Sequence, residues 1–251
     1  YNGFFHWLEE LSIEPLDVPL ITGEHEYLLD LDGIDKAFAS GARFLLLCNP
    51  HNPVGRAFSR DELTALAALA RKHDAVVISD EIHAPLTYGE FIPYLSCGED
   101  AEKTGVCITS SSKSWNLAGL KVAFLLAQST EMNEKLKQLP EAMHWRSSIV
   151  GAFAMAEAFA NGETWLDSTL ETLWSNALHL QSELARLLPA VTMHLPEASY
   201  LGWLDISELG LTNEEIFTKA KVALVPGPDM GGENYKNFAR FNFATSKEII
   251  T

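Results

Sequence analysis

Four short apolar runs, each closed by turn chemistry and separated by helical patterns, set the architecture open to this chain. Arg43-Phe-Leu-Leu-Leu-Cys48 runs into Asn49-Pro-His-Asn-Pro53, and Ala75-Val-Val-Ile-Ser79 runs into Asp80. Val106-Cys-Ile-Thr109 runs into Ser110, and Val122-Ala-Phe-Leu-Leu-Ala127 is the fourth run. A continuous apolar strand has no polar face to offer water, so it is expected to be buried on both sides. Strands of this kind alternating with helices predict an α/β fold, a mostly parallel sheet covered by helices. A helix is expected over 61–73, because Ser59 with Glu62 three residues on forms a capping box. Its residues Leu63, Leu66, Ala67 and Ala70 fall on one face.

From 131 to 188 the pattern is helical, ending in a long helix from Glu163 to Leu188 that Asn161-Gly162 separates from the one before. After Pro189 come strand-like runs at 191–194, 199–206, 222–225 and 240–244, with one helix at 213–220. This shift predicts a large domain over 1–173 and a smaller α+β domain over 174–251. The chain opens on Tyr1 without a methionine and stops at Thr251 inside a helix start. It is therefore expected to be an internal piece of a longer protein, cut at both ends.

A formal charge of −16, from 18 basic and 34 acidic residues, argues against nucleic acid or an anionic membrane as partner. No apolar run is long enough to span a bilayer. Cys48, Cys97 and Cys107 are unclustered, which suits a reducing cytosol and gives no disulfide or zinc framework.

Open sheets of this class bind ligands beyond the carboxyl ends of their strands, where Asn52, Asp80 and Ser110 lie. Most lysines are solvated surface charges. Lys113, however, follows an apolar strand and three serines and precedes Leu117-Ala-Gly-Leu120. A desolvated lysine there becomes a nucleophile and base near neutral pH, able to form a Schiff base with an aldehyde. Asp80 either caps a turn or holds a pyridine nitrogen protonated, making the ring an electron sink. Asn52 is either a turn residue between two prolines or a donor to a phenolate oxygen. Ser110 and Ser112 either satisfy local backbone groups or suit a phosphate. Arg240, inside the aromatic run Phe238-Ala-Arg240-Phe-Asn-Phe243, packs its stem on aromatics or offers a rigid fork to a carboxylate. His6, His25, His73 and His179 read as surface or packing residues, and Trp165, Trp174 and Trp203 as core.

Taken together, Asn49-Pro-His-Asn52-Pro-Val-Gly55, Ser79-Asp80-Glu-Ile-His83, Ser110-Ser-Ser-Lys113-x-x-Asn116-Leu-Ala-Gly119-Leu and Arg240-Phe-Asn-Phe-Ala resemble the fold-type-I pyridoxal-phosphate enzymes of the class I/II aminotransferase superfamily. Within that group they are most similar to the bacterial cystathionine β-lyases and C–S lyases of the MalY type. The resemblance implies an aspartate-aminotransferase-like large domain and β-elimination from a sulfur amino acid, giving a thiol, pyruvate and ammonia. It makes Lys113 the Schiff-base lysine and Asp80 the partner of the pyridinium nitrogen. Asn52 bonds the ring's 3-oxygen, and His83 falls where aminotransferases commonly have a tyrosine. Ser110 and Ser112 lie at the phosphate, Arg240 grips the substrate α-carboxylate, and Tyr1 stacks on the ring. Lys121 stands where many aminotransferases carry a phosphate-binding arginine. A glycine-containing phosphate loop and a tyrosine lent to the neighbouring subunit, both N-terminal in the family, are not in this sequence. The resemblance further implies a cytoplasmic homodimer with its active sites at the interface. Transamination and regulation through protein contact are the rival activities.

Overall fold

The computed structural model describes residues 1–23 and 27–251. In chain order the first helices are α1 (Asn2–Glu10), α2 (Leu31–Ala39), α3 (Arg60–Lys72), α4 (Glu99–Thr104) and α5 (Thr130–Lys137). They are followed by α6 (Ala142–Trp145), α7 (Ile149–Asn161), α8 (Glu163–Leu187), α9 (Asn213–Ala220), α10 (Pro228–Gly231) and α11 (Lys247–Ile250). The strands begin with β1 (Ile21–Thr22), β2 (Tyr27–Leu28), β3 (Phe44–Cys48), β4 (Val76–Asp80), β5 (Gly105–Thr109) and β6 (Phe124–Leu126). The last four are β7 (Thr192–Met193), β8 (Leu201–Asp205), β9 (Val225–Pro226) and β10 (Phe238–Asn242). Two compact units contain them: one of Leu16–Pro50 and Ala57–Ser168, the other of Tyr1–Pro15, His51–Arg56 and Thr169–Thr251.

The first unit holds a sheet ordered β3-β4-β5-β6. The first three strands are parallel and β6 is antiparallel, so the mostly parallel α/β sheet expected from the apolar runs is present. The capping box forms as the sequence predicts, with Ser59 and Glu62 each satisfying the other's backbone N–H at the head of α3. Leu63, Leu66, Ala67 and Ala70 of α3 are fully buried, and they pack with Ile34, Phe38, Leu47, Val77 and Cys107 into one core. The expected double burial is incomplete: on the face opposite this core Phe44 is 66% exposed, and Leu125 and Leu126 of edge strand β6, which point to opposite faces, are also exposed. A run of consecutive apolar residues announces strand character, but it does not say how completely each face is covered.

The second unit carries a wholly antiparallel sheet, β7-β8-β10-β9, with Arg240 of β10 opposite Trp203 on one side and Val225 on the other. The strand expected at 222–225 is confined to β9, because α9 ends on Lys221 in the left-handed region. The core assignment holds for Trp203, which is buried and stacks on Phe238 at 5.3 Å. It fails for Trp165 and Trp174, 48% and 38% exposed. Leu173, Asn176, Ala177 and Leu180 form the buried stripe of α8, and helical spacing turns Trp174 off that stripe. His25 lies outside the described residues.

Two buried polar side chains brace the carboxyl edge of the parallel sheet. Asn49 is fully buried; its Nδ2 donates to the Ile92 carbonyl at 3.3 Å and its Oδ1 accepts the Phe58 N–H at 3.1 Å. Glu81, 4% exposed, accepts from Ser79 Oγ and from the Tyr94 N–H through Oε1, each at 2.9 Å. Burial lifts the Glu81 carboxyl above its ordinary value, against the opposing pull of the Tyr94 N–H, the Cys107 thiol and the Ser79 hydroxyl.

Asn49→Ala strands the Phe58 N–H and the Ile92 carbonyl and is expected to cost about 2–4 kcal/mol, read by urea unfolding. For Glu81 the native pKa lies above the unfolded one, so its stabilising contribution is complete below the unfolded value of about 4.3. That contribution declines as pH rises from there through the raised native value. Glu81→Gln removes the titration, so its stability relative to wild type should improve as pH climbs over this window. A difference in urea midpoint that stays constant with pH contradicts the assignment.

Candidate active site

The lysine singled out by the sequence sits in a tight turn beyond β5. The Trp115 N–H donates to the Ser111 carbonyl at 3.1 Å and the Leu117 N–H to the Ser112 carbonyl at 3.0 Å. Asn116 takes a φ of 55° to complete the turn, a left-handed value that asparagine tolerates better than most residues. Lys113 and Ser112 are half-buried within it. Ser110, buried at the strand end, uses its hydroxyl locally: it donates to the Val122 carbonyl at 2.6 Å and accepts the Ser112 N–H at 3.0 Å. Ser111 and Ser114 are buried with hydroxyls that meet no hydrogen-bond partner among the described residues. Lys121, also left-handed at φ 53°, is exposed.

Asp80 ends β4, the strand beside β5, with Cys48 and Ile108 as its register neighbours. These flanks are poor in polar partners. Burial accordingly raises the Asp80 carboxyl above its ordinary value, while the Ile82 N–H on Oδ1 at 3.1 Å and the positive field of Lys113 act to lower it. His83, buried, follows at the turn into Ala84–Leu86. The first unit therefore brings Asp80, His83, Ser110, Ser112 and Lys113 to the carboxyl edge of two neighbouring parallel strands.

The second unit holds the remaining three candidates. Asn52 is buried, and its Oδ1 accepts from Arg240 Nη1 at 3.1 Å. The same nitrogen approaches Met230 Sδ at 3.8 Å. Burial pulls the Arg240 guanidinium below its ordinary value, and the neighbouring Tyr1 and Tyr200 act to raise it. Tyr1 is half-buried and packs edge-on against Phe4 at 5.4 Å. Gly55 is required three residues past Asn52. Its φ is +73°, and a Cβ there would lie 2.3 Å from Pro196 Cβ. Its carbonyl accepts the N–H groups of Glu197 and Ala198, at 2.9 and 3.0 Å.

Several residues of these two clusters escaped the sequence reading. Glu81 stands directly after Asp80, and an acid closing an apolar strand was a visible signal. Ser111 and Ser114 were visible as flanks of Lys113. Met230 and Tyr200 carried no signal, because only the pairing of β10 with its neighbours brings them near Arg240.

Residues 14–250 match the family described as aminotransferase class I and II. The chain is 38% identical to the cystathionine beta-lyase of Corynebacterium glutamicum over 248 residues, covering 94% of this chain and 65% of that protein. It is 33% identical to the cystathionine beta-lyase PatB of Bacillus subtilis, covering 98% of this chain and 65% of that one. The chain thus spans just under two thirds of these relatives. The structure of the PLP-bound C-S lyase of Staphylococcus hominis in complex with L-cycloserine superposes with a TM-score of 0.90 at 26% identity, covering 100% of this chain and 63% of that one. With its parallel sheet, its lysine turn and an almost end-to-end match, this chain belongs to the aminotransferase class I and II family.

Proposed function

We propose that the chain acts as a pyridoxal-phosphate-dependent carbon–sulfur β-lyase of the cystathionine β-lyase type. The observation that carries this reading is the pairing of a half-buried carboxylate, Asp80, with the Lys113 turn at the ends of adjoining parallel strands. The residues fit the cofactor. Asp80 has one N–H contact and an apolar setting, so a cationic ring nitrogen is the partner that would keep it ionised. Two buried hydroxyls without a hydrogen-bond partner among the described residues, Ser111 and Ser114, flank Lys113 and leave donors for an acceptor-rich group such as phosphate.

When bound, pyridoxal phosphate supplies an electron sink for the charge left at the substrate Cα. Lys113 would hold the cofactor through its aldehyde and, once free, would serve as the base for the substrate Cα proton. Asp80 holds the proton on the ring nitrogen. In the second unit Asn52 would donate to the ring's 3-oxygen, Tyr1 would cover the ring face and Arg240 would bind the α-carboxylate through its fork, while in the first unit His83 would stand in for the aminotransferase tyrosine. Ser112 serves the phosphate end directly; Ser110, whose proton goes to Val122, serves it by fixing the loop. The chemistry so supplied would release a thiol from the substrate Cβ, leaving pyruvate and ammonia after hydrolysis. His83 and Lys121, in place of the aminotransferase tyrosine and arginine, favour elimination over amino transfer.

The protein is further proposed to act as a homodimer in the cytoplasm. Ile149, Val150 and Phe153 of α7 are 73%, 64% and 74% exposed, an apolar patch suited to a partner surface. Three free, buried cysteines accord with a reducing compartment. Among the described residues no helix is long and apolar enough to cross a membrane.

Given pyridoxal phosphate and cystathionine without any 2-oxo acid, the protein is expected to release pyruvate. Lys113→Ala should lower that rate by about a thousandfold, the scale of a lost general base. Turnover that depends on an added 2-oxo acid and passes the amino group to it would replace the lyase with an aminotransferase.

A further inference from the structure

Lys113 is only as well placed as the turn that carries it. On its N-terminal side the turn is tied down by the Ser110 hydroxyl, which bridges the Ser112 N–H and the Val122 carbonyl. On its C-terminal side the long-range tie is Trp115. The indole Nε1–H donates to the Gly162 carbonyl at 2.9 Å, across 47 residues of chain. Gly162 sits at the junction of α7 and α8, and its carbonyl also accepts the Leu166 N–H at 3.1 Å, within the first turn of α8. One lone pair of that oxygen therefore serves the helix and the other serves the lysine turn.

The contact is shaped on both sides. Gly162 has φ −87°, a value any residue adopts, so the backbone does not demand glycine there. Space does: a Cβ would lie 2.3 Å from Trp115 Nε1, 2.5 Å from the Ala158 carbonyl oxygen and 3.0 Å from Trp115 Cδ1. The indole meets Phe159 edge-on at 4.9 Å, and Phe159 meets Phe124 of β6 at 6.1 Å. The turn is thereby connected to the helix junction by a directional bond and to the sheet edge by ring packing. The ring contacts tolerate sliding, whereas the hydrogen bond fixes both distance and angle.

We propose that the Trp115–Gly162 hydrogen bond is the positioning element of Lys113, holding its turn against the head of α8 so that the ε-amine is presented in one geometry. This rests on the reading of Lys113 as the residue that bonds pyridoxal phosphate. Trp115 acts through Lys113 and is a positioning residue.

The test is site-specific trapping. With pyridoxal phosphate, the Lys113 amine condenses with the aldehyde, losing water, and borohydride delivers hydride to the C=N carbon to leave a stable secondary amine. The modified fraction at Lys113 is read by peptide mass at limiting pyridoxal phosphate and normalised to folded protein. Trp115→Phe keeps a ring against Phe159 but removes the donor, and it is expected to lower trapping roughly fivefold, the equilibrium worth of one neutral hydrogen bond. Gly162→Ala, which drives a Cβ into the indole and against the Ala158 carbonyl, should lower it at least as much, and it reads the same contact if Trp115→Phe does not fold. The double variant should lose less than the product of the two single losses, because both break one contact. Phe159→Leu leaves the donor intact and should change thermal stability while leaving trapping unaltered. Trapping that stays at the wild-type level in Trp115→Phe and Gly162→Ala while both melt earlier would make the bond merely structural and overturn the proposal. A wild-type protein that gives no adduct at Lys113 overturns the functional reading instead, and this one with it.

Discussion

Parallel pairing of three strands is the constraint on which the candidate site depends. Strands β3, β4 and β5 run the same way, so each connection must carry the chain back to the starting edge before the next strand begins. The helices that make those returns leave the opposite edge to the turns alone. Asn49, Asp80 and Ser110 are set side by side there by register, although long stretches of sequence separate them. Chemistry at that edge follows from topology before any individual side chain is considered.

The two adjoining acids at the end of β4 show how closely environment assigns roles. Both carboxyls are lifted by burial. Glu81 is met from within the protein by a hydroxyl, a backbone N–H and a thiol, so it is an internal brace. Asp80 has one backbone N–H and the field of a lysine, an incomplete shell for a carboxylate. One position along the chain separates an acid met by three internal donors from one met by a single backbone N–H among the described residues.

Much of this was legible in the sequence because local rules and tertiary packing agree. The capping box at Ser59 and Glu62, the inward face of α3 and the strand ends at Asp80 and Ser110 follow from spacing alone. Misreadings arose where the outcome depends on neighbours. Trp165 and Trp174 fall at core-like positions in the sequence, whereas the inward stripe of α8 is set by Leu173, Asn176, Ala177 and Leu180. The run 122–127 looked as buried as its companions, but as an antiparallel edge it exposes Leu125 and Leu126. The contact between Trp115 and Gly162 had no local signal, since neither residue type implies a partner 47 positions away.

The bond between Arg240 and Asn52 has a directional consequence. An amide side chain has two unlike ends, an accepting oxygen and a donating nitrogen, and its surroundings decide which faces where. Here the guanidinium claims the oxygen, so the amide is polarised with its nitrogen turned the other way. Asn52 therefore becomes a one-way relay: a cation on one flank dictates that the other flank speaks only to acceptors. An anion drawing on Arg240 would compete for the guanidinium's donors and alter the pull on that oxygen, and with it the acidity of the N–H groups at the far end. A carboxylate at the arginine and an acceptor at the amide would then be sensed by each other through a single side chain, with no movement of the backbone.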